Sequence, residues 1–159
     1  MANKKTTELK KEFNKLIYEN DRIVKLINNN DTIYADDLMG KNIFNQLKIN
    51  FTMLEQGTYI CLKIDYPKIS INDTYKKYIL TIMVVSHNDT NITLTGDTRT
   101  DLIAQELVDM LNFNYGNGFP LELKQEFEEP LDKDWYYRKV IFESLEYNSI
   151  ENKLNNGAK

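Results

Sequence analysis

Residues 77–87 constrain the fold more than any other part of the sequence. The segment reads Lys-Tyr-Ile-Leu-Thr-Ile-Met-Val-Val-Ser-His, so apolar side chains follow one another through its centre. A strand with one face in water alternates between apolar and polar residues, whereas a strand covered on both faces is apolar throughout. The sequence therefore predicts a central strand that is buried on both sides.

Several shorter segments have the alternating pattern of strands that bury one face. They are residues 51–55, 60–66, 92–94, 119–127 and 134–147. Pro67 is predicted to end the second of these strands, because proline cannot donate a hydrogen bond to a neighbouring strand. The last two strands are predicted to form a hairpin around an acidic turn with Pro130. In the first strand of that hairpin, one face is predicted to carry Phe119, Leu121, Leu123 and Phe127.

Two amphipathic helices are predicted from apolar spacings of three and four residues. The first covers residues 5–27, and its stripe includes Phe13 and Ile23. Asn20 also falls on this stripe, so the helix either pairs with a second copy as a short coiled coil or packs onto the core. The second helix covers residues 98–111, with Thr98 as its N-cap and Asp101 completing a capping box.

These elements predict a single α+β domain over residues 1–147, a length at which one core is usual. We expect a mostly antiparallel sheet of about four to five strands, flanked by two helices. Residues 32–50 predict a loop with a short helix or an edge strand. Residues 148–159 are too polar for a core position and are predicted to form a flexible tail.

The composition excludes several classes of function. The chain has 24 acidic and 20 basic residues, a formal net charge of −4, so a direct role in binding nucleic acid is not expected. One cysteine and one histidine leave too few ligands for a zinc or iron–sulfur site. The sequence has no signal-peptide pattern and no apolar run long enough to span a membrane, so neither secretion by an ordinary signal peptide nor membrane insertion is expected.

The residues available for catalysis do not form a convincing site. Ser86, His87 and Asp89 make a superficial triad, but neighbours on a strand point to opposite faces. Cys61 is predicted on the polar face of its strand, with no activating group beside it. Asp97 and Asp101 are typical of a helix start, and Gly116-Asn117-Gly118 lacks the pattern of a phosphate-binding loop. The sequence therefore predicts no catalytic residue, no cofactor and no metal.

The segment Trp135-Tyr136-Tyr137-Arg138 contains the residue types that dominate protein interfaces. Trp135 is predicted to pack on Ile103 and Leu107 of the second helix, leaving Tyr136 and Arg138 on the outer face. Arg99 lies in the first turn of a helix, where the dipole disfavours a cation, so Asp97 or another chain is expected to hold it. The candidate interface residues are Lys10, Lys11, Arg99, Glu128, Glu129, Tyr136 and Arg138.

Two segments carry a resemblance to a known class of proteins. They are Gly96-Asp97-Thr98-Arg99-Thr100-Asp101-Leu102-Ile103-Ala104-Gln105-Glu106-Leu107 and Trp135-Tyr136-Tyr137-Arg138-Lys139-Val140-Ile141-Phe142. With the predicted order of helix, two strands, helix and two strands, the chain resembles tail terminator and neck proteins of long-tailed bacteriophages.

The resemblance implies a virion structural protein, assembled in the host cytoplasm and located in the neck or tail. It implies a homo-oligomeric ring, commonly a hexamer, that contacts other tail or neck proteins and joins the tail tube to the head completion ring. A head-to-tail ring needs two different patches on each subunit, for which the acidic hairpin and the lysines of the first helix are candidates. The alternative is a small intracellular binding module, such as an inhibitor, immunity or regulatory protein, that acts through the aromatic strand.

Overall fold

The computed structural model describes residues 6–27, 34–47, 50, 54–69, 76–114 and 120–144. Several predicted features lie outside these residues. They are the tail at 148–159, the glycine pair at 116–118, residues 51–53, 119 and 145–147 of predicted strands, and residue 5, the first of the predicted helix.

The described residues form one five-stranded sheet with helices. In chain order the elements are helices α1 (Thr6–Glu19) and α2 (Asp21–Ile27), a 3₁₀ turn (Ala35–Leu38), strands β1 (Ile43–Phe44), β2 (Thr58–Ile69) and β3 (Lys76–His87), helices α3 (Asn88–Asn91) and α4 (Arg99–Leu111), and strands β4 (Leu121–Pro130) and β5 (Trp135–Ser144). The strand order is β1-β2-β3-β5-β4, and every pair is antiparallel except β1 and β2. The predicted single α+β domain with a mostly antiparallel sheet is confirmed.

Strand β3 lies at the centre of the sheet, as the sequence predicted, and both of its faces are buried. Ile82 and Val84 face the helices, whereas Met83 and Val85 belong to a second apolar cluster on the opposite face. The helix-side core consists of residues from α1, α2 and α4 packed on the sheet, including Phe13, Ile17, Ile103, Leu107, Val140 and Phe142. Two apolar layers explain why this strand is apolar at consecutive positions.

The predicted first helix is divided into two at Asn20. The side-chain oxygen of Asn20 accepts hydrogen bonds from the backbone N–H groups of Arg22 (3.0 Å) and Ile23 (3.1 Å). Asn20 therefore caps the start of α2. Ile17 and Ile23, on either side of it, are both buried in the helix-side core. The stripe packs within the subunit, so the core-packing interpretation is correct for these side chains and the single continuous helix is wrong.

Replacing Asn20 with alanine should lower the free energy of unfolding by about 1 kcal/mol, because two backbone N–H groups of α2 lose their acceptor. Asn20→Asp keeps the acceptor and is the matched control, with a change of only a few tenths of a kcal/mol expected. Urea unfolding monitored by circular dichroism measures both. Equal stability of Asn20→Ala and the parent protein would contradict the capping role.

Two irregularities in the sheet shift the alternation that the sequence suggested. Strand β2 does not end at Pro67 but continues to Ile69, and the pairing with β3 changes register between Asp65 and Lys68. A bulge of this kind accommodates a residue that cannot join the ladder. A second register shift lies between Leu123 and Gln125 of β4.

The shift in β4 separates residues that were predicted to share a face. Leu121 and Leu123 pack with the helix-side core, whereas Phe127 packs with the second cluster on the opposite face. A bulge adds one residue to one strand, so the side chains beyond it change sides.

Helix α4 begins where the sequence predicted, but its capping group is different. Thr98 occupies the N-cap position without a side-chain hydrogen bond to the helix. Asp101 accepts a hydrogen bond from Arg138 and does not complete a capping box with Thr98. The side chain of Asn91 instead accepts a hydrogen bond from the N–H of Thr100 at 3.2 Å. The predicted strand at 92–94 is reduced to one isolated bridge between Ile92 and Thr98.

Candidate interaction surface

Arg138 lies at the centre of a cluster of carboxylates that joins the β4–β5 hairpin to α4. Its Nε donates to Glu126 Oε1 at 2.8 Å, and its Nη1 donates to Glu128 Oε2 at 3.0 Å and to Asp101 Oδ1 at 3.2 Å. Both glutamates come from β4, and Asp101 lies in the first turn of α4. The side chain of Arg138 is 24% exposed, so these hydrogen bonds are partly shielded from water.

Tyr136 belongs to the same cluster. Its hydroxyl donates to Glu128, and burial together with this hydrogen bond raises the pKa of Tyr136 to about 12. The same hydrogen bond is the largest effect on Glu128 and lowers its pKa; burial opposes it, and the charge and hydrogen bond of Arg138 lower the pKa further. Burial lowers the pKa of Arg138, but Glu126, Asp101 and Glu128 together outweigh it, so the guanidinium stays charged. The cluster therefore places one guanidinium among three carboxyl groups.

The opposite face of the hairpin has a different character. The hydroxyl of Tyr137 donates to Glu129 Oε2 at 2.8 Å, and the ring of Tyr137 contacts Phe127. The ammonium of Lys139 lies over both rings, 5.4 Å from the centroid of Phe127 and 5.3 Å from that of Tyr137. Glu128 and Glu129, neighbours in sequence, thus contact different faces of the sheet.

The predicted facing of the aromatic strand is wrong. Trp135 is buried, as predicted, but it packs against Tyr59 and His87 in the second cluster, away from Ile103 and Leu107. Tyr136 and Arg138 lie on the side of the sheet that α4 covers, beyond the end of the helix-side core. The alternation of residues along a strand predicts which side chains share a face. It does not predict which of the two faces the helices cover.

Arg99 has a role within the subunit that the sequence did not predict. Its Nε donates to the carbonyl oxygen of Thr90 at 2.7 Å, and its Nη1 donates to the carbonyl oxygen of Leu26 at 3.0 Å. Leu26 lies in the last turn of α2, where carbonyl groups lack partners in the helix. Arg99 therefore ties α2 to the start of α4, and the expectation that Asp97 holds it is wrong.

The lysines of α1 are less distinctive than predicted. Lys10 donates to the carbonyl oxygen of Asn45 at 2.6 Å, and Lys11 is exposed. Lys15 lies 3.7 Å from Glu19 in an exposed ion pair. Helix α1 contains three lysines and three glutamates, so its formal net charge is zero.

The superficial triad does not form a proton relay. The hydroxyl of Ser86 is buried and lies 2.9 Å from the hydroxyl of Thr58 and 3.2 Å from that of Thr90. His87 points to the other face, where its Nδ1 accepts a hydrogen bond from the N–H of Asp89 and its ring meets Trp135 edge-on at 5.1 Å. Ser86 and His87 therefore have separate partners, as the alternation of the strand predicted.

Cys61 was predicted on a polar face, but it is fully buried in the second apolar cluster. Burial raises the pKa of its thiol to about 12, so the reactive thiolate form is suppressed. Cys61 was assigned to a polar face because Lys63 lies on the same face of β2. Lys63 is exposed and is not part of the cluster, whereas Cys61 is. Cys61 is a core residue of the sheet.

Sequence reasoning missed two partners of the candidate interface, Asp101 and Glu126. The hairpin register supplies a signal for Glu126, because pairing Glu128 with Arg138 places Glu126 two residues away on the same face. No local pattern indicates Asp101, which lies 37 residues from Arg138 in sequence.

Among the described residues, no group of three or more His, Cys, Asp or Glu side chains is arranged to hold a metal ion. The helices of the described segments are too short or too polar to cross a membrane.

The comparisons with known proteins identify the family. Residues 12–144 match the model of the YomW family, and this match includes every described strand and α4. No curated protein matches the chain. The chain belongs to the YomW family, a family of phage origin found in SPbeta-like prophages.

Proposed function

We propose that this YomW-family chain is a non-enzymatic virion protein, a subunit of a homo-oligomeric ring that joins the phage tail tube to the head completion ring. The resemblance to tail terminator and neck proteins and the phage origin of the family support this proposal. The ring forms in the host cytoplasm and becomes part of the neck or tail.

The observation that carries the proposal is the charge of one edge of the sheet. Residues 121–134, which contain β4 and the turn after it, carry six carboxylates and two lysines, an excess of four negative charges. The whole chain has 24 acidic and 20 basic residues, so the remaining residues contain eighteen of each. The acidic character of the protein is therefore concentrated at this edge, which we call the acidic edge.

The position of the acidic edge favours head-to-tail contacts. Strand β4 is the last strand on one side of the sheet, and β1, near α1 and the 3₁₀ turn, is the last on the other. Five strands place these edges about 19 Å apart. Two acidic edges repel each other, so a symmetric contact between two copies of β4 is disfavoured. A contact between unlike surfaces closes into a ring when the rotation is suitable.

The alternative, a binding module that uses the aromatic strand itself, has less support. Trp135 and Tyr137 are buried in the second cluster, and Tyr136 is half-buried. A partner approaching the hairpin meets the carboxylates of β4 first.

Removing the gene from the phage genome should leave full heads and complete tails that remain unjoined, as seen by electron microscopy of the lysate. Supplying the wild-type chain should restore joined particles. Supplying Glu129→Lys with Asp134→Lys, two exposed positions at the acidic edge, should not.

The matched control is Asp36→Lys with Glu55→Lys, which changes the net charge equally at exposed positions elsewhere. This control should restore joined particles. Joined, infectious particles without the gene would overturn the proposed function, and equal rescue by both double variants would remove the role of the acidic edge.

A further inference from the structure

The loop between α3 and α4 turns two aliphatic side chains to solvent. Ile92 is 66% exposed, and Leu94 is fully exposed. Single exposed aliphatic residues are common on protein surfaces and need no explanation. Two exposed aliphatic residues on one short loop indicate a contact surface when the loop is also held in a fixed shape.

Hydrogen bonds within the loop fix its shape. The N–H of Thr93 donates to the carbonyl oxygen of Asp97 at 2.9 Å, and the N–H of Gly96 donates to that of Thr93 at 3.0 Å. The hydroxyl of Thr95 donates to Asp97 Oδ2 at 2.9 Å. Gly96 has a φ of +90°, which glycine adopts without strain. Leu94 is therefore presented on an ordered turn, and a partner binds it with little loss of conformational freedom.

The base of the loop is anchored on both sides. Before it, the carbonyl oxygen of Thr90 accepts from Arg99, and the side chain of Asn91 is buried and accepts from the N–H of Thr100. After it, Arg99 also reaches the carbonyl oxygen of Leu26 in α2. The loop thus projects from a rigid part of the molecule.

Exposed carboxylates lie at the same end of the sheet as this loop. Asn88, at the start of α3, donates to the carbonyl oxygens of Asp134 and Lys133, which places the hairpin turn at the same end of the sheet. Among the described residues, exposed charged side chains at this end include Asp89, Asp97, Asp132, Lys133 and Asp134. Four carboxylates and one lysine leave an excess of three negative charges.

We propose that the 92–98 loop is a docking site for a protein other than this chain, one that receives Ile92 and Leu94 in an apolar pocket with lysine or arginine at its rim. Charge complementarity selects this occupant. Contact with the same end of a second copy is disfavoured, because both ends carry the same excess of negative charge. The inference goes beyond the proposed function, because it assigns a contact with a different protein to the 92–98 loop, whose residues are not part of the acidic edge.

A photo-crosslink from the loop tests this assignment. The full chain with Leu94→Cys is labelled with benzophenone maleimide, and the label reaches only position 94 because Cys61 is fully buried. The labelled protein is added to an extract of cells that produce the phage without this gene, and the mixture is irradiated. We expect one major adduct, whose partner peptide, identified by mass spectrometry, belongs to a different protein and contains lysine or arginine beside an apolar stretch.

Two comparisons make the result specific. Adding Ile92→Ser to the labelled chain should lower the adduct yield about tenfold, the effect of losing one buried aliphatic side chain, and raised salt should lower it further. The same label on Asp36→Cys, an exposed position in the 3₁₀ turn, should not give this adduct.

An adduct with this chain itself, a partner peptide without basic residues, or a yield unaffected by Ile92→Ser would overturn the inference. The proposed ring is judged separately, by light scattering of the same variants. Ile92→Ser should self-associate as the parent chain does, whereas the acidic-edge double variant should not.

Discussion

Replacing Trp135 with alanine should lower the free energy of unfolding by about 3–5 kcal/mol, the usual cost of removing a large buried aromatic side chain. The indole is 5% exposed and lies between the rings of Tyr59, at 5.9 Å, and His87, at 5.1 Å. It is the largest member of the second cluster, so its loss leaves a cavity that the surrounding side chains fill only in part. Urea unfolding monitored by circular dichroism measures the change.

Tyr34→Ala is the control for this experiment. Tyr34 is 70% exposed, and its replacement should change the free energy of unfolding by less than about 0.5 kcal/mol. Phe142→Ala should destabilise the protein as strongly as Trp135→Ala, but from the helix side of the sheet. A loss below about 1 kcal/mol for Trp135→Ala would mean that the second cluster is not a packed core.

Replacing Arg138 with methionine should lower the free energy of unfolding by about 1–2 kcal/mol, because three charge-assisted hydrogen bonds are lost and three carboxylates then repel one another. The effect is smaller than for a fully buried ion pair, since the side chain is 24% exposed. Arg22→Met is the matched control. Arg22 binds Glu106 at 2.6 Å but is 69% exposed, so its loss should cost less than about 0.5 kcal/mol.

The effect of Arg138→Met should depend on pH. The pKa of Glu128 is lowered in the folded protein, first by the hydrogen bond from Tyr136 and further by Arg138. A carboxyl group of this kind stabilises the fold above its unfolded pKa, about 4.3, and the contribution is lost as the pH falls through the folded value. The stability difference between parent and variant should therefore shrink between neutral pH and about pH 3. A difference that stays constant over this range would contradict the ionic account of the cluster.

The parts of the fold that sequence predicted depend on local patterns. The consecutive apolar residues of β3 require two buried faces wherever the strand lies, and the hairpin of β4 and β5 follows from two strands around an acidic turn. The spacing of Ile103 and Leu107 likewise defines the buried face of α4.

The errors arise where a residue type permits two structures or where the partner is distant in sequence. Asn20 is compatible with a helix interior and with a cap, and only packing on both sides selects the cap. The bulge after Leu123 changes the facing of every residue beyond it. Arg99 binds Leu26, 73 residues away, and no spacing rule connects them.

Part of the candidate interface set lies together in the structure for the same reason. Tyr136, Arg138 and Glu128 do form one cluster, because strand pairing brings them together, and Glu129 lies at the same edge on the other face. Arg99 and Lys10 instead make hydrogen bonds to backbone carbonyl groups of their own subunit.

The most direct test of the central proposal is the copy number of this chain in purified phage particles. Quantitative mass spectrometry of density-purified particles, with isotope-labelled peptides of this chain and of the major tail protein as standards, gives that number. The account predicts a small fixed number of copies per particle, consistent with one ring. Intact, infectious particles that contain none of this chain would contradict it.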